Sequence, residues 1–374
     1  MSADAHRHAL LTGFPTTPLA RGVLSRLLHD DRALHVDCVV LPSALEHAEA
    51  AVAALEPHAR DRVTLLPGDA AAIDLGLSGR EWTALAERVQ LVHGCAAVSY
   101  SWADRELAER VNIGSAQELL ELADAAPRLQ RVVYWSTTRV SGSRRGYVRE
   151  DELRDDFGFR GPVEESRMRA EAVVREGMQR HDIVILRPSH IVDVLPGAGP
   201  ERLDGPYLLA QIMLGAPMDI PLPVPGGGDT PIHVVPLDYV LDAGMAIAAH
   251  PDAAGRTFHL VDGRPVTVRR ALELVATSCA RPAPRIAVPT RWAAKLVRNT
   301  GLERLANVPR AFLEEISTEV IYDDTNTREL LSGTEIECPP FETYVDAIVG
   351  RVRRQRTAER EALEDQRAKA HSTV

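Results

Sequence analysis

The chain is poor in cysteine, in long apolar runs and in net positive charge, and each shortage excludes something. Its 374 residues hold four cysteines, Cys38, Cys95, Cys279 and Cys338, widely spaced and with no CxxC pair. That spacing argues against a disulfide framework or a thiolate metal site, so no metal is expected. No apolar run reaches the ~20 residues that crossing a bilayer requires. Lys and Arg number 43 against 53 Asp and Glu, for a net charge of −10. An acidic balance excludes a nucleic-acid groove or an anionic membrane surface as the main partner. Internal repeats are absent. The first residues carry His and Asp and pass straight into a strand-like run, unlike a signal peptide, so a cytoplasmic location is expected.

What is present reads as a soluble globular protein, with 45% hydrophobic and 26% charged residues. The length allows one large α/β domain and a smaller lobe. Short apolar runs at 8–12, 35–41, 63–66, 91–93, 131–135 and 183–186 read as strands. Helical spacing at 19–29, 44–55, 103–123 and 164–180 separates them. Such alternation predicts a Rossmann-like, doubly wound parallel sheet with helices on both faces. After Arg187-Pro188 the texture turns rich in Pro and Gly, which reads as a smaller C-terminal α/β substrate lobe. The expected division is 1–190 plus about 233–250 for dinucleotide binding and 191–232 with 251–350 for the substrate lobe. Residues 351–374 read as a charged helical tail.

The first strand ends at Thr12-Gly13 and a helix opens near Ala20. Amides at such a helix start can hold a pyrophosphate when small residues let the backbone approach. The turn reads Gly13-Phe14-Pro15-Thr16-Thr17-Pro18-Leu19-Ala20, keeping one glycine of a G-x-x-G-x-x-G pattern. Several later segments follow in order: Gly68-Asp69 before Leu75-Gly76-Leu77-Ser78, His93-Gly94-Cys95-Ala96-Ala97, Val111-Asn112-Ile113-Gly114-Ser115 and Ser136-Thr137-Thr138-Arg139-Val140-Ser141-Gly142. Then come Leu186-Arg187-Pro188-Ser189, His233 through Val240, Thr257-Phe258-His259-Leu260 and Cys338-Pro339-Pro340-Phe341 with Tyr344. Together they resemble the extended short-chain dehydrogenases/reductases (epimerase/dehydratase-like). In pattern they are most similar to the fatty acyl-CoA reductase and thioester reductase branch, over roughly residues 8–350.

The resemblance implies a cofactor, NAD or NADP. Gly13, Thr17 and Ala20 would line the pyrophosphate, with the Thr17 hydroxyl able to donate to a phosphate oxygen. Asp69 would accept from the adenine amino group, and Ala96 and Ala97 would border the ribose. Asn112 and Pro188 fall at cofactor-site positions of the same pattern. The second strand ends in Leu41-Pro42-Ser43, with neither an acidic residue nor an Arg to choose between the two cofactors. Asp37 sits too early in that strand.

Catalysis in the family uses a Ser or Thr hydroxyl, here Thr137, with a Tyr and a Lys four residues later on the next helical turn. The matching segment is Pro162-Val163-Glu164-Glu165-Ser166-Arg167. Val163 stands at the Tyr position and cannot transfer a proton. Arg167 stands at the Lys position, keeps the charge and could bond ribose or phosphate, although Arg and Lys are not interchangeable. Candidate replacement acids are Tyr100, Tyr134, Tyr147, Glu164 and His190. The implied function is an NAD(P)-dependent oxidoreductase acting on a carbonyl, a hydroxyl or an acyl thioester. The alternatives are a catalytically inactive dinucleotide-binding pseudoenzyme that acts as a sensor or partner-binding protein, and a fold kept for assembly. A homodimer through helices 103–123 and 164–180 is a further expectation.

Overall fold

The structure, a computed structural model, describes residues 7–100, 103–193, 205–215, 224–225, 228–283, 287–288, 314 and 316–371. In chain order the elements are β1 (Arg7–Thr12), α1 (Pro18–Asp30), β2 (Leu34–Val40), α2 (Leu45–Ala53), α3 (Pro57–Arg60), β3 (Val63–Pro67), α4 (Gly79–Arg88), β4 (Leu91–Gly94), α5 (Arg105–Ala125) and β5 (Arg131–Trp135). There follow β6 (Gly146–Val148), α6 (Pro162–Gly177), β7 (Ile183–Pro188), β8 (His190–Val192), α7 (Tyr207–Gly215), β9 (Val224–Pro225), β10 (Val234–Pro236), α8 (Leu237–Ala249), β11 (Thr257–Leu260) and α9 (Val268–Ser278). The chain closes with β12 (Ala287–Val288), β13 (Val320–Tyr322), α10 (Thr325–Leu330) and α11 (Val345–His371).

Seven parallel strands form the central sheet in the order β11-β7-β5-β4-β1-β2-β3. Alternate side chains of each strand face opposite layers. Leu10, Val92, Val132, Tyr134, Ile183 and Ile185 pack under α4, α5 and α6 in one buried cluster. The other face lies under α1 and α8, where small residues let the layers close. A Cβ at Gly244 would meet the Trp135 ring at 2.4 Å, and one at Gly22 would meet Leu241 at 2.4 Å. The doubly wound parallel sheet expected from the alternation is the fold observed.

The chain divides into two compact units. The first holds Met1–Ser189, Leu237–Val261 and Val320–Glu337; the second holds His190–Pro236, Asp262–Glu319 and Cys338–Val374. Two stretches that the sequence texture assigns to the substrate lobe thus fold in the first unit. Thr257–Leu260 joins the sheet because it pairs with β7. Val320–Tyr322 pairs with β6 in a small parallel ladder. Within the second unit, α7, α9 and the start of α11 share one apolar cluster that includes Tyr207, Leu272 and Ile348. There Arg351 is buried and pairs with Asp193 at 3.1 Å, so the charged tail expected from 351 onward begins inside a core. Among the described residues, no helix is long and apolar enough to cross a membrane.

Candidate functional site

The turn after β1 is closed by its own polar atoms. Gly13 has φ +84, and a Cβ there would lie 2.8 Å from the backbone carbon and oxygen of Cys95. A side chain is excluded twice, by conformation and by contact. The Thr16 amide and hydroxyl both donate to the Gly13 carbonyl, at 3.1 and 2.7 Å. Arg21 donates to the Pro15 carbonyl at 2.9 Å. Thr17 is the N-cap of α1 and its Oγ1 accepts from the Ala20 amide at 3.1 Å. An N-cap of this kind satisfies one of the donors a helix start leaves open. The cap leaves the Thr17 O–H as a donor. Phe14, Pro15 and Ala20 are buried. Among the described residues, the amides of Phe14, Thr17 and Leu19 have no partner, so three donors remain for an anion at the positive end of the helix.

The loop after β4 lies against this turn. Thr12 Oγ1 accepts the amides of both Cys95 and Ala96, each at 3.1 Å. Ser115 donates to the Ala96 carbonyl at 3.2 Å. Ala96 and Ala97 are half-buried. Asn112 is fully buried. It accepts from the Val98 amide at 2.8 Å and donates to the Val98 carbonyl at 3.2 Å and to Ser166 Oγ at 2.9 Å. It therefore fixes the loop at Val98 to α6. Asp69 accepts from the Ala71 amide at 2.9 Å and lies 3.7 Å from Arg110. Asp37 is buried and held by two hydrogen bonds from Arg88, so it does not present itself at the end of β2.

The start of α6 shows what replaces the Tyr and Lys. Val163 is buried in an apolar cluster with Val98, Ala103 and Ala108, with Tyr100 packed against it. Arg167 is 5% exposed. Its Nη2 donates to the Trp135 carbonyl at 2.6 Å, and its Cζ lies 5.7 Å from the centre of the Tyr134 ring. Its Nη1 is buried with no hydrogen-bond partner. No carboxylate pairs with Arg167 among the described residues. A buried cation normally has a counter-ion or a full set of acceptors; Arg167 has the Trp135 carbonyl and the Tyr134 ring. Thr137 follows β5, half-buried, with Oγ1 accepting from the Arg139 amide at 3.3 Å. Pro188 is buried at the end of β7. All of these residues belong to the first unit.

The candidate acids divide sharply. Glu164 is buried, accepts from Arg160 at 3.0 and 3.2 Å and lies 3.5 Å from Arg139. Tyr134 is buried with its hydroxyl unpartnered, and burial pushes its pKa up. Tyr147 is exposed and donates to Asp323 at 2.7 Å. His190 opens β8 in the second unit.

Sequence reasoning missed a buried polar network beside Thr137. Ser136 donates to Glu171 at 2.6 Å; Glu171 is fully buried and also bonded by Arg187 and Arg175. Burial alone would raise the Glu171 carboxyl, but the Arg187 charge and hydrogen bonds, then Arg175 and Ser136, bring it down to about 2. Arg187 also donates to His259 Nε2 at 3.2 Å, while His259 Nδ1 faces the Asp323 carbonyl at 2.6 Å. His259 is therefore a neutral ring with its proton on Nδ1. Burial first, then the Arg187 charge, lowers it to about 3. Glu150 accepts from the amides of His259 and Asn326 and from the Thr327 hydroxyl, at 2.9, 2.6 and 3.1 Å. The available signal was a charged residue, Arg187, at the end of an apolar strand, with Glu171 placed one helical turn from both Arg167 and Arg175.

A family model described as male sterility protein, an NAD-binding domain, matches residues 11–244. The hybrid PKS-NRPS synthetase pvhA of Talaromyces variabilis is 31% identical over 140 residues, 37% of this chain and 3% of that protein. The fatty acyl-CoA reductase wat of Drosophila melanogaster is 23% identical over 220 residues, 52% of this chain and 42% of that protein. The chain thus spans less than half the length of these relatives. Among solved structures, the terminal R domain of the myxalamid PKS-NRPS pathway superposes with a TM-score of 0.74 at 22% identity, covering 94% of this chain and 91% of that one. A UDP-glucuronic acid 4-epimerase from Bacillus cereus, in complex with NAD, gives 0.66 at 17% identity, covering 93% and 99%. At these identities the structures speak for the fold.

Proposed function

The chain belongs to the male sterility protein family, within the NAD(P)-binding extended short-chain dehydrogenases/reductases, and from that premise we propose that it reduces an acyl thioester or the derived aldehyde. The observation that carries this reading is the buried Arg167 guanidinium with an unpartnered Nη1. It fits a dinucleotide, as does the Gly13 turn, where any Cβ would collide with the Cys95 backbone.

NADH or NADPH, when bound, supplies the hydride. The amides of Phe14, Thr17 and Leu19 and the Thr17 hydroxyl would hold the pyrophosphate. Arg167 would hold the ribose hydroxyls and supply a fixed positive charge to the site. Thr137 donates its O–H to the carbonyl oxygen and orients it. Arg167 and Thr137 would stabilise the negative charge that develops on the carbonyl oxygen during reduction. Val163 gives no proton, so oxygen is protonated from water or, in a thioester, the electron pair returns to expel thiolate and leave an aldehyde. A thioester suits this site because its carbonyl, once reduced, can collapse without a donated proton. The family match and the synthetase and acyl-CoA reductase relatives support the thioester class.

The test is cofactor oxidation with a panel of acyl thioesters and aldehydes, with Thr137→Ala alongside. Turnover that falls by about 10²-fold in the variant, within the range for a lost oxyanion donor, is expected. Cofactor binding without turnover across the panel would instead support the sensor reading.

A further inference from the structure

We propose that Glu171 is a positioning residue: acting through Ser136, it holds the end of β5, and with it Thr137, against the helix that carries Arg167. The catalytic consequence rests on the reductase reading; the structural consequence does not.

Glu171 has no oxygen to spare for chemistry of its own. It is fully buried, and both carboxylate oxygens are occupied. Oε2 accepts from Ser136 Oγ at 2.6 Å and from Arg187 Nε at 2.9 Å. Oε1 accepts from Arg175 Nε at 2.9 Å and from Arg187 Nη2 at 2.5 Å. Burial opposes its charge, but Arg187, Arg175 and Ser136 keep it ionised. Arg187 is itself anchored, with Nη1 and Nη2 on the carbonyls of Glu150 and Glu152 at 3.3 and 2.9 Å. The carboxylate is a fixed acceptor, and of its three partners only Ser136 borders Thr137.

Two bonds join α6 to consecutive residues at the end of β5. Arg167 Nη2 donates to the Trp135 carbonyl at 2.6 Å. Ser136 donates to Glu171, one helical turn further along the same face of α6. A bond this short to a carboxylate is of the strong, charge-assisted kind. The Ser136 amide donates to the Leu186 carbonyl at 2.7 Å, which fixes the strand within the sheet and leaves its link to the helix layer to the hydroxyl. Thr137 follows directly and caps the turn Thr138–Ser141. Its Oγ1 accepts from the Arg139 amide at 3.3 Å and its carbonyl from the Val140 amide at 3.4 Å. The position of Thr137 relative to α6 is thus set one residue upstream of it.

Ser136→Ala in the full chain tests this with two readouts. Hydrogen exchange of the Arg139 amide reports the Thr137 cap and needs no turnover. It is expected to quicken by about tenfold or more, since a bond to a charged group is lost beside it. With an acyl thioester and NADPH, kcat is expected to fall by about tenfold with the cofactor KM nearly unchanged, as for a misplaced reacting group. Arg131→Gln is the control for general weakening. It frees the opposite end of β5 from Asp182 and from the Ala248 and His250 carbonyls, and should lower thermal stability while moving neither readout. If Ser136→Ala does not fold, Ser136→Cys, of similar size and with a weaker donor, is read in the same way. Unchanged Arg139 exchange, unchanged kcat in an active enzyme, or equal quickening in Arg131→Gln would overturn the proposal. A wild type without turnover would sink the reductase reading, and the exchange result alone would then decide whether Glu171 positions Thr137.

Discussion

The start of α1 and the start of α6 both depart from the family pattern, and they depart in different ways. At α1 the requirement is for backbone shape. The glycine that is kept, Gly13, is the position where a Cβ would strike the Cys95 backbone at 2.8 Å. Thr17 and Ala20 stand at the other two glycine positions because a capping hydroxyl and a methyl fit there, the hydroxyl accepting from the Ala20 amide. At α6 the requirement is for particular functional groups, and these have changed. Val163 has joined an apolar cluster, and Arg167 keeps only the positive charge of the expected pair. Backbone geometry can be rebuilt with different side chains, whereas proton transfer cannot be rebuilt with valine.

Four substitutions separate the two cases. The largest effect is expected at Glu171, which ties α6 to Ser136 and Arg187. Glu171→Ala would leave Arg187 buried without its carboxylate and should cost about 3–5 kcal/mol in chemical denaturation. The Glu171 pKa is lowered from 4.5 to about 2, below the value of an unfolded glutamate. Its contribution is therefore present above pH 4.5 and is lost as pH falls toward about 2. The wild-type acid transition should be shallower in the variant over that window.

Next is Gly13→Ala, which should destabilise by about 1–3 kcal/mol through left-handed strain, plus the contact. It should also abolish NAD(P)H binding measured by fluorescence, because the turn must shift. Val163→Tyr is third. Overpacking of the Val98, Ala103 and Ala108 cluster should lower stability by about 1–3 kcal/mol. With Arg167 still in place of lysine, no gain in turnover is expected; a gain of about 10²-fold would show that proton donation alone was missing. Smallest is Thr17→Ala, where loss of the cap should cost about 1 kcal/mol in thermal or chemical denaturation.

Much of the fold was legible because alternating apolar runs and helical spacing map directly onto a parallel sheet covered on both faces. The strands of residues 8–12, 91–93 and 131–135 match β1, β4 and β5 closely. The return of 257–260 and 320–322 to the first unit was not legible, since pairing with β7 and β6 is non-local and these strands are short. In the candidate site, motif order points to Gly13, Thr137 and Arg167, but motifs carry no information on hydrogen-bond completeness. That Arg167 has an unpartnered Nη1, and that Asn112 spends its amide on Val98 and Ser166, emerge only once the helices are packed. The Ser136–Glu171–Arg187–His259 network spans four separate elements and has no local signature.

If Arg167 is a buried cation kept for a dinucleotide, its removal must weaken NAD(P)H binding. Titration of NADPH and NADH into the wild type and Arg167→Gln, with far-UV circular dichroism as a check on folding, tests it most directly. Binding by the wild type and a loss of at least about tenfold in the folded variant are expected, as for a removed charged hydrogen bond. Equal affinity in the two proteins, or no binding by the wild type, would contradict it.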